Sequence, residues 1–202
     1  MALTDWSQSG EEAMILPWAV RHGQGRWLDI GAADGSSASN THALALEGWP
    51  GVAVEPAAGY FAHLANLYAD RPDVECVQAA VVTEPAPLVR FYLSDDLVST
   101  TDEAHVKTWG KIATFNALYV GAVTVAELLS CFPGPYDFAS IDTEGTSVEL
   151  WDELRRLDAF APGALAVIEA EDGGERWQIQ RACLDGWARV GVTPNNVLLE
   201  RL

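Results

Sequence analysis

The sequence predicts an α/β domain: a doubly wound, mostly parallel seven-stranded sheet that closes in a C-terminal antiparallel hairpin. Three observations predict it. Trp27-Leu28-Asp29-Ile30-Gly31-Ala32-Ala33-Asp34-Gly35 reads as an apolar strand entering a glycine turn that opens a helix. Val52-Ala53-Val54-Glu55-Pro56 reads as the next strand, with a terminal carboxylate 24 residues past Gly31. Strand-length apolar runs then alternate with helix-length patterns along most of the chain.

Taken in order, 11–22 carries Ile15, Leu16 and Trp18 at helical spacing, with a break or kink expected at Pro17. Residues 26–32 are the first strand. Ser36, Ser37 or Ser39 can cap a helix through 42–46, which Gly48 closes. Residues 51–55 are the second strand. The stretch 57–69 is a helix with Phe61, Leu64, Ala65 and Tyr68 on one face, and 73–82 is a third strand. Helix-length crossovers between these strands imply parallel pairing and right-handed connections. Residues 88–93 form an extra strand, and the polar stretch 94–108 a loop; 94–122 is a candidate lid. A helix follows over 123–131, starting at Thr124 and ended by Pro133-Gly134-Pro135. Strands over 136–141 and 164–169 end in acids, and each precedes a helix, at 147–157 and 175–184. Residues 187–192 and 197–202 form the closing hairpin across Thr193-Pro194-Asn195-Asn196.

With 202 residues, 49% of them hydrophobic, the chain suits one domain, 1–202, with residues 1–25 as a helical extension. No apolar run is long enough to span a membrane. Residues 1–18 hold acids and no basic stretch, so no secretory signal is expected. Cys76, Cys131 and Cys183 are far apart and odd in number, which fits a reducing cytoplasm better than a disulfide framework. The net charge of −17 opposes binding to nucleic acid, which needs a cationic footprint.

The glycine turn and the acid at the second strand's tip have the layout of a nucleotide-type cofactor site. The same glycines also fit a bare strand-to-helix turn. A dinucleotide site favours a second glycine where Ala33 stands, which moves the reading away from a pyrophosphate ligand. Asp142 and Glu144 sit at the mouth of the fourth core strand, where open α/β sheets bind ligands. Glu169, Glu171 and Asp172 end the fifth. Such carboxylates are hard oxygen ligands of the kind Mg²⁺ takes, although solvated loop acids in an acid-rich chain are the favoured reading. His22, His42, His63 and His105 lack metal spacing; His42 or His105 could serve as a base.

Asp29-x-Gly31-x-x-x-Gly35, Glu55-Pro56, the strand ending at Asp142 and the terminal hairpin resemble class I S-adenosylmethionine-dependent methyltransferases, a Rossmann-like fold. Within that class, three stretches are similar to the FkbM family: Leu28 to Gly35 with Ser39-Asn40-Thr41, Gly48 to Pro56, and Asp137-Phe138-Ala139-Ser140-Ile141-Asp142-Thr143-Glu144-Gly145. The pattern departs at Thr146-Ser147, where the family carries an acid, and at Ala33-Asp34; Glu149 is an acid one turn on.

The resemblance implies S-adenosylmethionine bound by Asp29, Gly31, Ala32, Asp34, Gly35, Asn40, Glu55, Pro56, Gln78, Ala79 and Asp142. Asp29 would face the methionine end, Glu55 the ribose hydroxyls, and Gln78 and Ala79 the adenine. It implies Asp142 and Glu144 as catalytic residues in methyl transfer to a hydroxyl of a sugar, glycan or small natural product. A silent S-adenosylmethionine-binding protein and an NAD-dependent oxidoreductase are the alternatives.

Overall fold

A computed structural model describes residues 5–94, 98–170 and 186–202. The expected helix over 175–184, with Glu171, Asp172 and Cys183, lies outside the described residues. Ten strands and six helices are described. In chain order they are α1 (Glu12–His22), β1 (Trp27–Ile30), α2 (His42–Leu46), β2 (Gly51–Val54), α3 (Ala58–Leu67), β3 (Val74–Val77), β4 (Ala80–Val82) and β5 (Leu88–Ser94). Then come α4 (Glu103–Trp109), β6 (Phe115–Thr124), α5 (Val125–Cys131), β7 (Tyr136–Ile141), α6 (Ser147–Arg156), β8 (Phe160–Glu169), β9 (Trp187–Val192) and β10 (Asn196–Arg201).

The main sheet has seven strands in the order β3-β2-β1-β7-β8-β10-β9. β1, β2, β3, β7 and β8 pair in parallel, and β10 runs antiparallel to both β8 and β9. The expected architecture is therefore present. The chain begins in the middle, winds outward to β3, and returns to the other side of β1 at β7. That reversal makes the β1–β7 border the switch point, the place where ligands enter sheets of this kind.

Every residue of β1 and of β2 is buried, as expected for parallel strands covered on both faces. The two-residue side-chain period divides them between two cores. Trp27 and Phe138 pack with Ile15, Trp18, Leu44 and Leu64 on the face covered by α1, α2 and α3. Leu28, Ile30 and Ile141 pack with Leu128, Trp151 and Leu154 under α5 and α6. Asp29 shares the first of these faces, and its register partner on β7 is Ser140.

Four details differ from the sequence reading. The expected strand over 73–82 is two strands, because β3 matches the four residues of β2 and the chain then leaves at Gln78. β4 joins a separate three-stranded sheet, β4-β6-β5. β6 and α4 stand in the stretch read as a loop or lid. Asn116 to Tyr119 are exposed, so no buried stripe announced the strand, and the helix α4 starts where Asp102 Oδ1 accepts from the Ala104 N–H at 2.8 Å. Finally, α1 runs through Pro17 without a break, held to the core by Ile15 and Trp18. The Thr124 start of α5 is as read, a capping box closed by Glu127.

The switch point leaves no room beside Gly31. Its φ is +88°, and a Cβ there would lie 1.6 Å from the Asp142 carbonyl oxygen. Gly31→Ala should cost about 3 kcal/mol through backbone strain and a main-chain clash. A fall in the thermal midpoint of roughly 6–12 °C would fit that cost; an unchanged midpoint would refute the packing argument.

Candidate functional site

A cleft opens at the C-terminal ends of β1, β2 and β7. Its floor is the loop that follows β1. The Gly31 and Ala32 N–H groups both donate to the Val54 carbonyl, at 3.0 and 3.1 Å, which turns the loop over the end of β2. Glu55 then fixes it. One carboxylate oxygen accepts from the Ala33 N–H at 3.0 Å, the other from the Ala57 N–H at 2.7 Å. The acid at the tip of β2 thus ties the glycine turn to the start of α3 and still lines the cleft. Burial pushes its carboxyl above the usual range, opposed by those two N–H bonds.

Behind the loop lies a buried polar row. Thr41 Oγ1 donates to Asp29 Oδ2 at 2.5 Å, and Asn40 Nδ2 donates to Ser140 Oγ at 3.2 Å. Burial raises the Asp29 carboxyl to about 7; the Thr41 bond works against this, and the Glu55 charge adds to it.

Across the switch point, Asp142, Glu144 and Glu169 bring carboxylate oxygens within 4.8 Å of one another. That spacing suits one hard cation, and it equally suits a shared proton. Glu169 accepts from the Glu144 N–H at 2.8 Å and from Ser147 Oγ at 2.6 Å. Glu144 has φ +56°, unusual for a residue with a side chain. Its carbonyl accepts from Thr100 Oγ1 at 2.5 Å, and its carboxylate meets His105 Nε2 at 3.0 Å. Asp142 keeps an edge open to the cleft but is otherwise surrounded by protein. Burial, then the charges of Glu169, Glu144 and Asp29, push its carboxyl well above the ordinary value.

Of the residues singled out in the sequence, Asp29, Gly31, Asn40, Glu55, Pro56, Ala79, Asp142 and Glu144 line this one cleft. The other four do not. Ala32 is buried beneath the turn. Asp34 spends its carboxylate on the Ser36 and Ser37 N–H groups, at 2.8 and 2.7 Å, and on Ser37 Oγ. Gly35 faces α3, where a Cβ would meet Leu64 at 2.6 Å. Gln78 is exposed at the point where the chain leaves the main sheet. Glu149 is exposed on α6 and is not part of the cleft wall.

Sequence reasoning missed Gln8, Tyr60, Phe91, Ser140 and Thr143, which also line the cleft. Ser140 had a signal: it lies two residues before Asp142 at the end of a strand, hence on the same face as Asp142 and opposite Ile141. Phe91 had no comparable signal, since it arrives from the second sheet. Among the described residues no helix is long and apolar enough to cross a membrane.

No family model matches the chain, and no curated protein matches it in sequence. Solved structures do match. A putative methyltransferase, yhhF, from Escherichia coli is 12% identical at a TM-score of 0.54, over 100% of this chain and 90% of its own. Precorrin-6y C5,15-methyltransferase from Geobacter metallireducens GS-15 is 15% identical at 0.52, over 99% and 91%. A putative caffeoyl-CoA O-methyltransferase from Staphylococcus aureus is 8% identical at 0.51, over 95% and 82%. The likeness is one of fold: this chain has the Rossmann-like fold of these methyltransferases.

A pH effect follows from Asp29. Its folded pKa stands above the ordinary 3.8, so the folded state holds the proton more tightly than the unfolded chain. This stabilisation is complete below about pH 4 and is lost as pH rises through about 7. Asp29→Asn should gain stability relative to the unaltered protein between pH 5 and pH 8, by on the order of a few kcal/mol. Urea melts giving the same difference at both pH values would contradict it.

Proposed function

We propose that this chain is an S-adenosylmethionine-dependent methyltransferase that methylates a hydroxyl of a sugar, glycan or small natural product. The observation that carries the proposal is the convergence of Glu55, the turn after Gly31 and the acids Asp142 and Glu144 on one cleft at the switch point. The donor is a cation. The described lining residues include Asp29, Glu55, Asp142 and Glu144 but no Lys, Arg or His. That charge attracts a sulfonium and an ammonium, and it opposes a pyrophosphate. It weighs against an NAD-dependent oxidoreductase, as does Ala33 in the loop. The matched folds and the FkbM-like stretches support the same reading, and the acceptor class comes from the latter.

In the proposed reaction Glu55 takes the ribose hydroxyls, and Pro56 and Ala79 border the adenine. Asp29 and Asn40 face the amino-acid tail. The acceptor oxygen attacks the methyl carbon in line. The carbon–sulfur bond breaks, its electron pair returns to sulfur, and the hydroxyl proton passes to a carboxylate. Alignment and exclusion of water supply much of the rate. Asp142, crowded by other acids, is held toward its neutral form and donates a hydrogen bond. Glu144, next to His105, is the proton acceptor. The −17 charge fits a neutral small acceptor rather than a nucleic acid, and the well-separated cysteines fit a cytoplasmic setting.

Calorimetry with S-adenosylhomocysteine and with NAD tests the donor. The first should bind and the second should not; the reverse result would overturn the proposal. Glu55→Gln keeps an acceptor for one backbone N–H but removes the charge, and should weaken S-adenosylhomocysteine about 10- to 100-fold. Unchanged affinity would remove Glu55 from the ribose. With a panel of neutral sugar acceptors, Glu144→Gln should lower turnover about 100-fold or more while the fold and donor affinity persist. Full activity would remove Glu144 from proton transfer.

A further inference from the structure

Gln8 reaches the cleft from a part of the chain that the cofactor motif does not include. It lies in the short irregular stretch 5–11 that precedes α1. Both ends of that stretch are fastened. Trp6 packs edge-on against His42, with ring centroids 4.6 Å apart, and its backbone N–H donates to Glu12 Oε1 at 3.0 Å. At the other end, Glu11 is wholly buried. It accepts from Thr193 Oγ1 at 2.6 Å, from Asn196 Nδ2 at 2.9 Å and from the Ser9 N–H at 2.8 Å. The N-terminal stretch is thus pinned to α2 on one side and to the turn of the closing hairpin on the other. His42 is two residues past Asn40, so the stretch lies over the Ser37–Asn40 side of the cleft.

That side has an unfilled requirement. Asn40 is 6% exposed, it lines the cleft, and its Oδ1 has no partner in the structure. A buried acceptor without a donor points to a ligand that brings one. Together with Asp29, it suits an ammonium. A zwitterionic tail also carries a carboxylate, and no Lys, Arg or His is among the described lining residues to meet it. Neutral donors must do so. The Ser37 hydroxyl already donates to Asp34 Oδ2, and the Ser39 hydroxyl donates to Thr41 Oγ1 at 3.3 Å, since the Thr41 proton goes to Asp29. The Gln8 amide offers two further N–H donors at the cleft wall.

We propose that residues 5–11 are a strap across the amino-acid-tail end of the cleft, and that Gln8 donates to the carboxylate of that tail. This rests on the methyl-donor reading above. Gln8 is exposed, so its substitution leaves the core intact.

The experiment compares two probes by calorimetry: S-adenosylhomocysteine, which has the tail, and adenosine, which lacks it. Gln8→Ala should lose about tenfold in affinity for the first and nothing for the second. Trp6→Ala should also weaken S-adenosylhomocysteine selectively, and the hydrogen-exchange protection this ligand gives to residues 5–11 should disappear. Unchanged S-adenosylhomocysteine affinity in Gln8→Ala would overturn the strap contact alone. An equal loss for adenosine would also overturn it, because the effect would then not belong to the tail. Failure of the unaltered protein to bind S-adenosylhomocysteine would instead remove the donor reading.

Discussion

Two main-chain segments meet at the switch point with no side chain between them, and the site depends on that approach. The Asp142 N–H donates to the Ile30 carbonyl at 2.9 Å, and the Asp142 carbonyl lies against Gly31. Only a residue without a Cβ fits there. The glycine therefore does its first work for the protein itself: it lets β1 and β7 end side by side. The cleft exists because the loops then part in opposite directions, one toward α2 and the other toward α6. A ligand placed there is bounded by both loops, which is why acids from distant parts of the sequence face one another.

Those acids are sorted by their surroundings. Glu55 is satisfied by two backbone N–H groups, so its charge is supported from within the loop. Asp29 has one hydroxyl partner and deep burial, so its charge is costly until a cation arrives. Asp142 faces Glu169 and Glu144, so it cannot share their charge state cheaply. One composition, rich in carboxylates, thereby yields a tie within the loop, a buried acid behind it and a crowded acidic wall. A positively charged ligand such as the proposed methyl donor would offset the repulsion among these acids and so would link binding to stability.

The parallel core was legible because its strands are short, apolar and regularly spaced, and because glycines and acids mark their ends. Of the second sheet only β5, expected as the extra strand over 88–93, was legible as an element of its own. Its strands come from two separate stretches, and β6 is exposed over half its length, so period and burial gave no common signal. Spacing also could not distinguish acids that face the cleft from acids that serve the loop. Asp34 and Glu55 both flank the glycine turn, yet Asp34 closes on its own serines and Glu55 lines the cleft. That division depends on side-chain direction, which one sequence does not reveal. The place of Gln8 in the cleft wall was equally hidden, since a helical extension was all that residues 1–25 displayed.

The stretch between β5 and β6 is tied more closely to the cleft wall than its polar composition implied. Asp102 caps α4, and α4 delivers His105 to the Glu144 carboxylate. Thr100, which also pairs with Tyr92 of β5, holds the Glu144 carbonyl. The left-handed backbone at Glu144 is a conformation the loop would leave if those contacts were lost, because a side chain makes it costly. The second sheet is therefore a support for the loop after β7. It holds one carboxylate in a strained pose against the cleft, where a relaxed loop would turn it to solvent.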